Sequence, residues 1–124
     1  MKNLKIKNNV ISGSCHTGKT RKLIEVANEE QEIREVVFVN GEETEGSLRE
    51  LGLNPKIKVK SPMLTTYKNI DEFYIYLKSS FPGALFCIDN TNLYLDGNVR
   101  LDELFKFKDC VFTYQTSVKY NKGE

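Results

Sequence analysis

The residues Gly13-Ser14-Cys15-His16-Thr17-Gly18-Lys19-Thr20 decide the fold class, because they match G-x-x-x-x-G-K-[ST] at every fixed position. The apolar pair Val10 and Ile11 precedes this stretch, as a buried strand would, and a helical pattern follows it. Glycines let the backbone turn tightly and direct successive N–H groups into a concavity that suits phosphate oxygens. This order of strand, loop and helix predicts a phosphate-binding loop at residues 13–20.

Each part of the loop has an expected role. Lys19 reaches the β- and γ-phosphates, and the Thr20 hydroxyl binds Mg²⁺. Cys15 is either a reactive thiol at a helix N-terminus or a space-filling residue, and His16 faces solvent beside the phosphates. A glycine-rich turn that matches by coincidence is the alternative. The expected nucleotide-binding residues are Gly13, Ser14, Cys15, His16, Thr17, Gly18, Lys19 and Thr20.

The composition is that of a folded globular chain. Of its 124 residues, 40% are hydrophobic and 28% are charged, which argues against disorder. This length fits a single domain at residues 1–117, followed by a polar tail at 118–124. No apolar run approaches membrane-spanning length, and the first residues lack the apolar core of a signal peptide. We therefore expect a cytoplasmic protein with no membrane partner.

Charge and cysteine content exclude several function classes. The net charge of +1 gives no global preference for nucleic acid, so DNA binding would require a local patch. The three cysteines are widely spaced and form no C-x-x-C pair, so neither a disulfide framework nor a zinc site is indicated. Cys87 and Cys110 are expected to be small buried residues.

Strand and helix patterns alternate along the chain. Continuous apolar runs predict buried strands at residues 36–39, 84–88 and 110–114, and the alternating run at 57–60 predicts a strand near an edge. The sequence does not decide whether residues 4–6 form a short extended segment that leads to the loop strand. Helical spacing predicts helices over residues 19–28, from 69 or 71 to about 81, and around 101–105, and Ser47 is expected to cap a short helix that Gly52 ends. This pattern indicates an α/β fold with a mostly parallel sheet of about four to five strands flanked by helices.

Asp89 directly follows the second buried run, at 84–88. A phosphate-binding loop needs a carboxylate of this kind, because Mg²⁺ is held between the loop hydroxyl and an aspartate, directly or through water. The next residue is Asn90, which is a poor general base. Glu42 and Glu43, after the neighbouring buried run, are the candidates for positioning the attacking water, and a solvated acidic loop is the alternative.

Three segments resemble the RadA branch of the RecA-like ATPases, which include RecA recombinases, DnaB-type helicases and KaiC. Residues 36–44, VVFVNGEET, resemble the family's VLYVSGEES segment, and residues 86–90, FCIDN, resemble its metal-binding strand VVIDS. Residues 111–115, VFTYQ, resemble its strand that ends in N-Q or S-Q. The resemblance implies a RecA-like P-loop NTPase with a three-layer core. It also implies that Glu42 is the catalytic glutamate, that Gln115 senses the γ-phosphate and that Thr20 and Asp89 hold the metal.

The resemblance further implies ATP and Mg²⁺ as cofactors. Because the sequence ends soon after Gln115, we expect a minimal core without the later strands of that family. The expected activity is a weak or partner-stimulated ATPase, linked to DNA transactions. The expected partners are a nucleoside triphosphate, a protein or a second copy of this chain, and single-stranded DNA.

Two other functions are left open. One is a nucleotide-dependent interaction module without turnover, in which ATP orders the loops near Glu42, Asn90 and Gln115. The other is a nucleoside kinase, because residues 11–24 also resemble the opening of thymidine kinases. That family places a glutamate after the metal aspartate and carries a cysteine-rich zinc region, and this sequence has neither.

Overall fold

A computed structural model of the chain describes residues 4–14, 17–40, 43–60, 70–91 and 101–116. A single sheet contains six strands: β1 Lys5–Lys7, β2 Val10–Gly13, β3 Val36–Val39, β4 Lys58–Lys60, β5 Leu85–Ile88 and β6 Cys110–Gln115. The helices are α1 Lys19–Glu30, α2 Glu45–Glu50 and α3 Ile70–Ser80, with a 3₁₀ helix at Leu101–Lys106. The predicted α/β class and the mostly parallel sheet are therefore confirmed.

The strand order is β1-β2-β6-β5-β3-β4. Every neighbouring pair is parallel except β1 and β2, which are antiparallel and joined by a tight turn at residues 8 and 9. Asn8 adopts a φ of 53° in this turn, a left-handed conformation that asparagine tolerates well. The sheet has six strands rather than the expected four to five, and β1 is an added edge strand. It lies at residues 5–7, where the sequence left an extended segment open.

The two faces of the sheet carry separate apolar clusters. One cluster joins the sheet to α3 and the 3₁₀ helix, and it includes Phe73, Leu77 and Leu104. The other joins the sheet to α1 and α2, and it includes Leu23 and Leu48. Successive strand residues alternate between the two clusters, as the pleat requires. Helices therefore cover both faces of the sheet.

Cys87 and Cys110 are buried free thiols, as predicted. They lie on neighbouring strands but belong to different clusters, so their side chains are on opposite faces of the sheet. Burial raises the pKa of both thiols, that of Cys110 to about 12. Both are therefore neutral small core residues at physiological pH.

Two of the predicted helices differ in detail. The short helix α2 begins at Glu45 and is capped by Thr44, whose Oγ1 accepts a hydrogen bond of 3.0 Å from the backbone N–H of Ser47. The prediction that Ser47 is the cap is wrong, because Thr44 supplies the same hydroxyl three residues earlier. The segment at 101–106 is a 3₁₀ helix and not an extended amphipathic α-helix. Gly52 follows α2 with a φ of 107°, which explains why the helix ends there.

None of the helices in the described ranges has the length and apolar character needed to cross a lipid bilayer.

Three residues with a predicted role, Cys15, His16 and Glu42, lie outside the described residues. The predicted tail at 118–124 also lies outside them.

Candidate functional site

Three buried polar side chains lie in a row across the centre of the sheet. Asn40 follows β3, Asp89 follows β5 and Thr113 lies within β6, and all three are 0% exposed. The ladder continues through this level, because the Asn40 N–H donates to Lys60 O at 2.8 Å and the Asp89 N–H donates to Val39 O at 2.9 Å. Two residues earlier, the same three strands form an apolar row of Phe38, Cys87 and Val111 on the α1 side of the sheet. The polar row therefore faces α1 at the carboxyl ends of the parallel strands, where ligands bind in open α/β sheets.

The loop after β2 leads into the N-terminus of α1 next to this row. Gly18 is the N-cap of α1 with φ 88° and ψ 22°, and a side chain there would be strained. Thr17 Oγ1 donates to Ser14 O at 2.8 Å, and Lys19 Nζ donates to the same oxygen at 2.7 Å. Lys19 is 7% exposed, so its charge is folded back over the loop.

The charges at the start of α1 suit an anion. The first turn of α1 contains no acidic residue, whereas α2, α3 and the 3₁₀ helix all carry acidic residues there. Acidic side chains normally complement the positive end of a helix dipole. At α1 this complement is missing from the helix itself, and Lys19 adds a positive charge. A phosphate group would supply the missing negative charge.

Asp89 is the point at which the loop and the polar row meet. Thr20 Oγ1 donates to Asp89 Oδ2 at 2.8 Å, which joins α1 to the end of β5 across 69 residues of sequence. These are the two residues that the sequence predicts as metal ligands. Their hydroxyl and carboxylate oxygens are the donor chemistry that Mg²⁺ prefers.

The donor set fits Mg²⁺ bound together with phosphate more closely than a metal held by protein alone. Within the described ranges, no group of three or more His, Cys, Asp or Glu side chains is arranged to hold a metal ion. Mg²⁺ commonly binds through one or two carboxylates and completes its shell with water and substrate phosphates. Thr20 and Asp89 fit that pattern.

Thr113 holds the other oxygen of the same carboxylate. Its Oγ1 donates to Asp89 Oδ1 at 2.6 Å and accepts a hydrogen bond of 2.7 Å from the backbone N–H of Asn90. Asn90 has a φ of 55°, so the chain turns sharply directly after Asp89. One hydroxyl on β6 therefore binds both the side chain of Asp89 and the backbone that follows it.

Asn40 connects the carboxylate to the loop after β3. Its Nδ2 lies 3.5 Å from Asp89 Oδ2, and its Oδ1 accepts a hydrogen bond of 2.9 Å from the backbone N–H of Glu43. Glu43, the neighbouring alternative for the catalytic glutamate, is exposed. The backbone at Glu43 is thus anchored to the polar row while its side chain faces solvent.

Gln115 lies beside the entrance to the loop. It is aligned with Gly13 across the β2–β6 pair, and the Thr116 N–H donates to Gly13 O at 2.9 Å. The structure therefore brings together the predicted residues Gly13, Thr20, Asp89 and Gln115 at one edge of the sheet.

Sequence reasoning assigned no role to Asn40 or Thr113. A signal was present for Asn40, which directly follows a buried run in the same way as Asp89 does. Thr113 is the one threonine of β6, and its importance depends on β6 lying next to β5. The residues of β6 do not indicate which strand lies beside it.

No family model matches the chain, and no curated protein matches it in sequence.

Proposed function

We propose that this chain binds ATP together with Mg²⁺ and hydrolyses it weakly or on stimulation by a partner, as a RecA-like P-loop NTPase. The observation that carries the proposal is the 2.8 Å hydrogen bond between Thr20 and Asp89. A loop sequence that matched the motif by coincidence would not require a buried aspartate at this place. A phosphate-binding loop does require one, because the loop hydroxyl and the carboxylate share the metal.

The loop supplies the groups that bind phosphate. The first N–H groups of α1 and its helix dipole favour an anion at the Gly18 end. Lys19 is expected to release Ser14 O and to bind phosphate oxygens as a point charge. When bound, Mg²⁺ supplies positive charge that offsets the charge of the β- and γ-phosphates. Asp89 and Thr20 are already side by side to hold it.

Hydrolysis requires further groups beyond those that bind. By the resemblance to RecA-like ATPases, Glu42 positions the attacking water and Gln115 senses the γ-phosphate. The position of Gln115 beside Gly13 supports the second role. Lys19 stabilises the charge that develops on the transferred phosphoryl group, which is the main contribution of protein groups to this reaction.

A second candidate is an ATP-dependent interaction module without turnover. Two observations favour it over an efficient enzyme: the residue directly after Asp89 is the amide Asn90, and the side chain of Glu43 faces solvent. In this case ATP would order the carboxyl edge of the sheet for a protein partner, a second copy of the chain or single-stranded DNA.

The test is a set of binding and turnover measurements on three proteins. Mg-ATP affinity is measured by calorimetry, and phosphate release is followed with and without single-stranded DNA. We expect Lys19→Ala to weaken binding by about 10- to 100-fold, the loss of a charged hydrogen-bond partner. Lys22→Ala is the matched control, since Lys22 lies on the same helix with its Nζ 2.8 Å from Glu25.

The outcomes separate the candidates. Turnover that single-stranded DNA or a partner increases supports the ATPase, and tight binding without turnover supports the interaction module. Equal ATP affinity for the parent, Lys19→Ala and Lys22→Ala would overturn both.

A further inference from the structure

We infer that Thr113 is a positioning residue for magnesium: its hydroxyl fixes the Asp89 carboxylate so that one oxygen is presented to the metal. This inference rests on the proposed function, and it concerns a residue to which the sequence motifs assign no role. Thr113 touches Asp89 and the backbone after it, and it acts through them.

The hydroxyl of Thr113 makes two short hydrogen bonds, one as a donor and one as an acceptor. A hydroxyl has a single hydrogen, and here that hydrogen is directed to Asp89 Oδ1 at 2.6 Å. Its oxygen receives the N–H of Asn90 at 2.7 Å. Because the residue is 0% exposed, water does not compete freely for either bond. The direction of the hydroxyl is therefore set by the backbone of Asn90.

The two oxygens of Asp89 have different surroundings as a result. Oδ1 is held by Thr113, whereas Oδ2 lies 2.8 Å from Thr20 Oγ1, on the side of the loop, and 3.5 Å from Asn40 Nδ2. A carboxylate turns readily about its last bond unless its oxygens are held. Thr113 restrains that rotation and keeps Oδ2 beside the hydroxyl with which it would share the metal.

Groups that orient a metal ligand commonly change metal affinity by about 10- to 100-fold when they are removed. Thr113→Val keeps the shape of the side chain but removes the hydroxyl. We expect it to raise the Mg²⁺ concentration needed for tight ATP binding by about 10- to 100-fold. Affinity for ATP in EDTA should stay near that of the parent, because the loop and Lys19 are unchanged.

The experiment titrates MgCl₂ into protein with a fluorescent ATP analogue and repeats the binding curve in EDTA. Thr113→Ser retains the hydroxyl and is expected to keep a midpoint close to the parent. Thr91→Val is the matched control. Thr91 is equally buried, and its hydroxyl makes only a long hydrogen bond of 3.5 Å to Ile88 O. It should leave the magnesium midpoint unchanged.

Thr113→Ala provides a second variant in case the valine protein does not fold. Its smaller side chain leaves space for a water that can partly replace the lost bonds. We expect its magnesium midpoint, the MgCl₂ concentration at half-maximal binding of the ATP analogue, to lie between those of Thr113→Ser and Thr113→Val. If Thr113→Val is not obtained, the midpoint of Thr113→Ala should lie above that of Thr113→Ser.

The inference is overturned if the hydroxyl-free variants and Thr113→Ser share one magnesium midpoint. It is also overturned if the valine or alanine variant loses ATP affinity equally in EDTA, which indicates general damage to the fold. The proposed function fails separately, if the parent protein does not bind ATP or if Lys19→Ala binds it equally well.

Discussion

The two ends of the sheet each hold an aspartate, and the two are bound in opposite ways. Asp89 lies at the carboxyl ends of the parallel strands, is 0% exposed, and accepts hydrogen bonds from the neutral side chains of Thr20 and Thr113. Asp109 lies at the amino end of β6, and its side chain is 36% exposed. It is paired with Lys78 at 2.7 Å and with Arg34 at 3.8 Å.

The difference shows what each end of the sheet is suited to do. A half-exposed ion pair such as Asp109 with Lys78 contributes little stability and offers no unsatisfied charge to a ligand. Asp89, by contrast, lies beside the hydroxyl groups of Thr20 and Thr113, and carboxylate and hydroxyl oxygens are ligands that Mg²⁺ prefers. The charges at the amino end therefore neutralise each other, whereas the carboxyl end places carboxylate and hydroxyl oxygens next to the loop.

The largest expected effect comes from neutralising the two aspartates in turn. Asp89→Asn should reduce the magnesium-dependent gain in ATP affinity by about 100-fold, equivalent to about 2.7 kcal/mol. Asp109→Asn should leave that gain unchanged and lower the free energy of unfolding by less than about 1 kcal/mol. Calorimetric titration with and without Mg²⁺, together with urea unfolding, measures both.

The comparison breaks if both variants lose the magnesium effect, since the carboxyl end would then have no special role. It also breaks if neither variant changes it.

An intermediate effect is expected at Asn9, next to the amino end of β2. Its Nδ2 lies 3.0 Å from Leu104 O, 2.9 Å from Phe107 O and 3.0 Å from Cys110 O. Asn9→Ala leaves these part-buried carbonyls without this donor, so we expect the free energy of unfolding to fall by about 2 kcal/mol.

Urea unfolding measures this loss, and Asn8→Gly is its control. Asn8 has positive φ in the same turn, so glycine there should change stability by no more than about 0.5 kcal/mol. Folded Asn9→Ala protein should bind Mg-ATP as the parent does. A loss of ATP affinity without a loss of stability would show that the two ends are not functionally separate.

The smallest expected effect concerns pH. Burial raises the pKa of Cys110 from an ordinary 9.0 to about 12. Above pH 9 the unfolded chain loses this thiol proton while the folded chain keeps it, so stability falls as pH rises. From pH 9 to pH 10 this thiol alone lowers the free energy of unfolding by about 1 kcal/mol.

Cys110→Ala should flatten this pH dependence by about the same amount, although the variant begins less stable because of the lost packing. Unfolding curves at pH 8, 9 and 10 test it. Lys78 does not account for a change in stability between pH 8 and pH 10. Its hydrogen bond to Asp109 raises its pKa above 10.5, so its contribution to stability is lost only at higher pH. An unchanged slope in Cys110→Ala would show that the thiol is not protected from ionisation.

Local sequence patterns predicted most of the elements that carry the site. The runs at 36–39 and 84–88 match β3 and β5 closely, because parallel strands buried on both faces are continuously apolar. The loop motif placed Lys19 and Thr20 at the start of α1, and Asp89 was identified from its place after a buried run. These features depend on neighbouring residues and so are visible in the sequence.

Features that depend on distant partners were left undecided or were not predicted. The strand β1, with exposed Lys5, Ile6 and Lys7, has no apolar pattern and forms because β2 has an open edge beside it. The place of β6 between β2 and β5 is set by packing across the whole sheet, and the contacts of Thr113 follow from it. The helix α2 was misplaced by three residues at its start, where Gly46 weakens the helical signal.

The central position of β6 fixes the order in which the sheet can be completed during synthesis. On one side of β6 lie β1 and β2, and on the other lie β5, β3 and β4, so β6 is the strand that joins the two halves. Until residue 115 has left the ribosome, the loop strand has only the short β1 as a partner. The contact between Thr20 and Asp89 therefore lies in a continuous sheet only after β6 has been translated, so the polar row and the loop cannot be completed before that point.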